Sequence, residues 1–180
     1  MRRWPAVAAA VFAIGALSAA AAYQHAGSKA GDWQEIAWPF PRDGWPAGRA
    51  FRCAADSCGG EIEIYVRPKL GFCNCDRGVA DDDEVDRVAD LDLLSERFVP
   101  LEAGRVVRVA DMAGRMRKYD LLMSDRSRRL AVGIAVSRRC DLLVAVAQGK
   151  DAASDVGTSA QKFLASAEMT RWMTSAMDGR

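Results

Sequence analysis

The chain has 180 residues, half of them hydrophobic, enough for one packed core and too few for two large ones. Its 25 basic and 24 acidic residues nearly cancel, which excludes a general nucleic-acid binder, since neutralising phosphates needs a clear cationic surplus. Its one histidine, His25, leaves Ser-His-Asp and Cys-His mechanisms without a positioned base and zinc hydrolases without their usual imidazoles.

At the N-terminus, Arg2 and Arg3 precede an uncharged, Ala-rich stretch from Trp4 to Ala22. Its length is close to the roughly 20 residues that span a hydrocarbon core. Ala20-Ala21-Ala22 supplies the small residues a signal peptidase requires, with cleavage before Tyr23. The alternative is an uncleaved anchor flanked by the interfacial aromatics Trp4 and Tyr23, with the arginines held inside. Either way residues 1–22 direct the chain out of the cytoplasm, into a bacterial periplasm, soluble after cleavage or tethered to the inner membrane by residues 4–22. Without them the net charge is −1.

Residues 23–50 read as a tether. Trp33, Trp38, Pro39, Phe40, Pro41, Trp45 and Pro46 alternate aromatics with prolines, which forbids a regular helix and favours extended or turning backbone. So much apolar surface either packs across the domain itself or, through Trp33, Trp38 and Trp45, meets a partner or a membrane surface.

Residues 51–180 form the folded domain. Ile62, Ile64 and Val66 alternate with Glu61, Glu63 and Tyr65, predicting a half-buried strand. Arg67 to Gly71 should turn the chain so that Phe72 to Cys75 returns as its hairpin partner. The acids Asp81 to Glu84 then precede Val85, Val88, Leu91 and Leu94 at three-residue steps, predicting a capped helix to about Arg97. Four strand-like runs follow, Val106–Val109, Met116–Met123, Leu130–Val136 and Leu142–Ala147. They are punctuated by Gly114, Ser124-Asp125 and Ser137 to Arg139. Leu130, Val132, Ile134 and Val136 fill one face of the third run, while Ala131, Gly133 and Ala135 make the other small enough for a helix to lie close. The C-terminal segment, from a cap at Ser154 or Asp155 through Val156, Ala160, Phe163, Leu164, Trp172 and Met173, supplies that helix.

The fold class is therefore α+β, an antiparallel β-sheet made of a hairpin and a four-strand meander, with one internal helix and a C-terminal helix packed on it. In element order, and in the run from Met116 through Leu164, it resembles the PsbP-like domains over roughly residues 51–177. That resemblance implies a mostly non-catalytic accessory or assembly subunit and assigns no functional residue.

Four of the five cysteines, Cys53, Cys58, Cys73 and Cys75, lie close together as C-x4-C and C-x-C, and Cys140 stands apart. Outside the cytosol such a set favours disulfides. The loop with Cys53 and Cys58 leads into the strand paired with Cys-Asn-Cys, so one bond from each into Cys73 and Cys75 is expected, with Cys140 a buried thiol. Alternatively Cys140 pairs with one of the four and frees another, or the four hold copper or zinc or cycle in redox chemistry. The domain's own composition calls for no cofactor.

Charge is segregated. Residues 76–97 carry −6 and residues 104–139 carry +7. Arg115, Arg138 and Arg139 should fall in turns at one end of the meander, Arg126, Arg128 and Arg129 at the other. They form either a solvated, partly self-paired surface or a dock for an acidic partner or anionic lipid. Neither an EF-hand nor a P-loop spacing is present. Two functions remain: a non-enzymatic periplasmic accessory domain binding a protein partner or membrane complex, and a thiol-based metal or redox protein.

Overall fold

The computed structural model describes residues 32–71, 75–150 and 155–178. The export segment, the first part of the tether and Cys73 lie outside the described residues. Strands β1 (Trp33–Ile36), β2 (Arg49–Cys53), β3 (Ile62–Lys69), β4 (Phe98–Pro100), β5 (Arg105–Val109), β6 (Met112–Leu122), β7 (Arg128–Arg138) and β8 (Asp141–Gly149) form one antiparallel sheet. Its order is β1-β2-β3-β8-β7-β6, with β4 and β5 end to end along the far margin of β6. Among the described residues four α-helices accompany it: α1 (Ala55–Cys58), α2 (Asp82–Val88), α3 (Val156–Leu164) and α4 (Ala167–Asp178).

The meander matches the sequence pattern, since β5, β6, β7 and β8 are consecutive antiparallel neighbours. The hairpin differs. Ile62 to Lys69 pairs with β2 on one side and β8 on the other, so neither of its edges is left for the expected hairpin partner. Burial on both faces leaves no water for main-chain groups at either edge, so β3 takes two neighbours. It also runs through Arg67-Pro68-Lys69, and the turn comes only at Leu70-Gly71, where Gly71 adopts φ 72°. Two strands, β1 and part of β2, lie in the segment read as a tether.

The two faces of the sheet carry different layers. Val132, Ile134 and Val136 join Phe51, Ile62, Ile64 and Val66 in a core closed by Phe163 and Leu164 of α3 and Met169, Met173 and Met177 of α4. Each such fully buried side chain contributes roughly 1.5–3 kcal/mol. Ala131, Gly133 and Ala135 face the other way, towards α2 and the strap 37–48. A Cβ on Gly133 would lie 2.8 Å from the Ala89 Cβ, so it is α2 and its cap that need the small face. The expected assignment is thus reversed: the C-terminal helices, with long Met and Phe side chains, rest on the branched face.

Both predicted helix starts are capped by aspartates. Asp81 accepts from the Glu84 amide at 2.9 Å and Asp155 from the Thr158 amide at 3.1 Å. The internal helix stops at Val88 rather than near Arg97, because Asp90 adopts a left-handed conformation with φ 58°. A short 3-10 turn then carries Leu91 into the core. Among the described residues no helix is long and apolar enough to cross a membrane.

Candidate functional site

The two oppositely charged segments meet inside the molecule. Helix α2 lies on β6, where Arg115 pairs with Asp82 at 2.5 Å and Arg117 with Asp86 at 2.7 Å, and Tyr119 donates to Asp86 at 2.6 Å. Asp82 also accepts from the Gly104 amide, and this bond, followed by that from Arg115, holds its carboxyl below the ordinary range. Burial, then the bond to Asp86, raises the Tyr119 phenol. Arg115 therefore sits in mid-strand, not in a turn. The turn is at Ala110-Asp111, and Gly114 lies in β6 where a Cβ would meet the Ala135 carbonyl oxygen at 2.0 Å.

A second charged cluster joins the strap to β3. Arg67, Lys69 and Asp90 are 3%, 5% and 8% exposed. The Arg67 guanidinium donates to both Asp90 oxygens at 2.7 and 2.8 Å and to both Asp43 oxygens at 2.8 and 2.7 Å. Lys69 Nζ donates to Asp90 at 2.5 Å and to the Val88 carbonyl at 3.0 Å. Trp38 lies beside Arg67 and Trp45 beside Lys69, with cation-to-ring distances of 5.9 and 5.7 Å. Trp38 and Phe40 pack edge-on to Tyr65, whereas Trp33 stacks on Phe163 on the opposite face at 4.6 Å. The tryptophans thus tie the arm to its own domain on both faces.

Asp43 is the strap's anchor. The hydrogen bonds from Arg67 hold its carboxyl well below the ordinary value, at about 2. A lowered native pKa stabilises the fold above the unfolded pKa and stops doing so as pH falls through the native one. Asp43→Asn should therefore lower stability by about 1–2 kcal/mol at neutral pH, while Arg67 keeps Asp90. In urea titrations followed by tryptophan fluorescence, the gap between wild type and variant should narrow as pH falls from about 4 towards about 2. A gap constant with pH would assign the effect to packing instead.

The cysteines are paired otherwise than expected. Cys53 bonds Cys58 across α1, with Cα atoms 6.1 Å apart, and Cys75 bonds Cys140, with Cα atoms 4.5 Å apart. The reason is the changed hairpin: β3 takes β2 and β8 as its neighbours, and Cys75 meets the two-residue β7–β8 turn, Arg139-Cys140. The Gly71 amide donates to Asp141 at 2.6 Å beside it. Cys140 is thus a bonded cysteine rather than a free thiol.

Around this bond Arg138, Arg139, Cys140, Asp141, Met177 and Asp178 line a cleft of about 370 Å³. Arg138 pairs there with Asp178 at 3.0 Å and with Asp111 at 3.8 Å. The structure thus brings Arg138 and Arg139 together, leaves Arg115 in the interface under α2, and places the three tryptophans away from the cleft's lining. Sequence reasoning missed Arg67, Lys69 and Asp90. The signal was there in part, because Tyr65, Arg67 and Lys69 continue the alternation of β3 on one face. Among the described residues no group of three His, Cys, Asp or Glu side chains is arranged to hold a metal ion.

No family model and no curated protein matches the chain. Among solved structures it is similar to the solution structure of cyanobacterial PsbP from Synechocystis sp. PCC 6803. The identity is 14% and the TM-score 0.44, over 74% of this chain and 79% of that one, a weak likeness of fold alone.

Proposed function

We propose that the chain is an exported, non-enzymatic accessory domain that docks on a protein partner or membrane complex from the periplasmic side, with residues 4–22 as cleaved signal or retained anchor. The observation that carries this reading is the pair of disulfides, Cys53–Cys58 and Cys75–Cys140, and the direction in which titrating groups are moved agrees with it. Every described carboxylate with a resolved shift, Glu35, Asp43, Glu63, Asp82, Asp125 and Asp155, is held below its ordinary value. For Glu63 burial pulls upwards, but the bonds from Tyr65, Arg52 and Gln148 outweigh it. Tyr65 and Tyr119 move up, away from neutrality. An acid–base centre needs the opposite, a group brought towards the working pH. Two disulfides fit an oxidising compartment, and in this form Cys53, Cys58, Cys75 and Cys140 offer no thiolate to a metal.

Docking is assigned to the cleft end, where Arg138 and Arg139 stand. The test is cross-linking of the full chain in intact cells, with partners identified by mass spectrometry, beside the variant carrying Arg138→Glu and Arg139→Glu. The expected result is a salt-sensitive partner lost in the variant. Stability should fall by only about 1 kcal/mol, because the partners of the half-buried Arg138, Asp111 and Asp178, are exposed. Retention on anionic vesicles in place of a protein would redirect the reading to a lipid surface. A fusion of residues 1–30 to a reporter active only outside the cytoplasm should be active, and a reporter active only in the cytosol would end the export reading.

A further inference from the structure

Among the described residues the large hydrophobic side chains left exposed, Val99, Leu101 and Val106 at 61%, 54% and 70%, all belong to one margin of the sheet. There β4 and β5 lie end to end against β6, and neither has a second neighbour among the described residues. The β4 half is guarded. It is three residues long, and residues 101–104 bulge out of the ladder, held by Arg117 on the Glu102 carbonyl and Arg115 on the Gly104 carbonyl, both at 3.0 Å. Short strands and bulges are the usual protection of an open edge.

The β5 half has no such guard. It pairs regularly with β6 along its whole length and joins it through the two-residue turn Ala110-Asp111. In such a hairpin the residues flanking the turn bond each other, so Arg105, Val107 and Val109 turn their main chain to β6. Val106 and Arg108 present theirs outward. Both side chains are also exposed, and Arg108 makes no ion pair among the described residues. Arg105, exposed as well, donates to Gln161 at 3.0 Å.

We propose that β5 is a docking edge to which an extended acidic segment of a partner protein adds as a further strand. This deepens the accessory reading above by naming a surface and the chemistry it selects. Charge chooses the occupant. β5 carries two arginines and no acid, so pairing two copies of it would gather four guanidinium groups in one ladder, and like charges across strands destabilise. An acidic strand instead sets a carboxylate across from Arg108, on the face that residue shares with Val106, while the outward main chain of the same two residues supplies the bonds. The Arg138–Asp111 contact links the turn at the end of this edge to the cleft, so one partner can reach both.

The test uses the full chain and a labelled, blocked peptide of about six residues alternating Glu and Val. Its controls are a Lys–Val counterpart and peptides N-methylated on alternate amides in either phase. Fluorescence anisotropy should show saturable binding of the Glu–Val peptide and none of the Lys–Val peptide. One phase of N-methylation, and Arg108→Glu in the protein, should each weaken binding roughly tenfold, with the melting temperature of the variant unchanged. Equal binding of all methylated forms, or no binding of the acidic peptide, would overturn the proposal. A wild-type dimer that Val106→Pro disperses would replace it with self-pairing, since this proline removes an outward amide that β6 does not use. A cellular partner captured equally by Arg108→Glu would remove β5 from the interface while leaving the accessory function standing.

Discussion

Asp90→Asn should lower the stability of the folded chain by about 3–5 kcal/mol, measured by urea unfolding at neutral pH. Asn tolerates the left-handed backbone at φ 58° almost as well as Asp, so the substitution leaves the end of α2 intact and removes charge alone. What remains is severe. Arg67 keeps Asp43, but the buried Lys69 loses the Asp90 carboxylate and retains, among its contacts, the Val88 carbonyl and the Trp45 ring. Breaking a buried ion pair by removing one partner costs several kcal/mol, whereas replacing the whole pair with apolar groups of similar volume is often neutral. Lys69→Met in the Asp90→Asn background should therefore recover much of the loss. If Asp90→Asn costs under about 1 kcal/mol, water reaches the cluster and its charges are screened.

This cluster also marks where the sequence stops being legible. The alternation of β3 and the unbroken apolar runs of β7 and β8 are local signals, and these strands form much as read. The end of α2 is not local. The apolar stripe of Val85, Val88, Leu91 and Leu94 would continue a helix. What breaks it is Asp90, whose carboxylate meets two cations of β3 far back in the chain. The face on which each helix lies was hidden for a similar reason: Gly133 announces a close approach but not whether α2 or α3 makes it. The charge asymmetry was visible, yet only the fold shows that much of it is spent between α2 and β6, at Asp82, Asp86, Arg115 and Arg117. Cysteine pairing failed with the hairpin on which it depended. Once β3 takes β8 as its neighbour, the β7–β8 turn brings Cys140 to Cys75.

Replacing Cys75 and Cys140 together by Ser should cost roughly 4 kcal/mol, and replacing Cys53 and Cys58 together only about 2 kcal/mol. The difference follows from loop length, because the first bond joins residues 65 apart in sequence and the second residues 5 apart. In the unfolded chain the long bond removes far more conformations, so its loss favours unfolding more. Structure adds to the asymmetry. The Cys53–Cys58 bond spans only the single turn of α1, whereas the Cys75 bond ties a turn to the distant β7–β8 turn. The β7–β8 turn also supports Arg138 and the end of α4 through Asp178, so its loosening should release the cleft as well as the Cys75 turn. Single replacement of Cys140 by Ser should resemble the double variant, since Cys75 is then left without its partner. Denatured, unreduced wild-type protein should expose one titratable thiol, and peptide mapping should assign it to Cys73. Equal losses for the two double variants would show that native-state strain or residual unfolded structure, rather than loop entropy, sets the scale. Four or five free thiols with stoichiometric copper or zinc would instead revive the metal-binding reading and displace the structural role of these bonds.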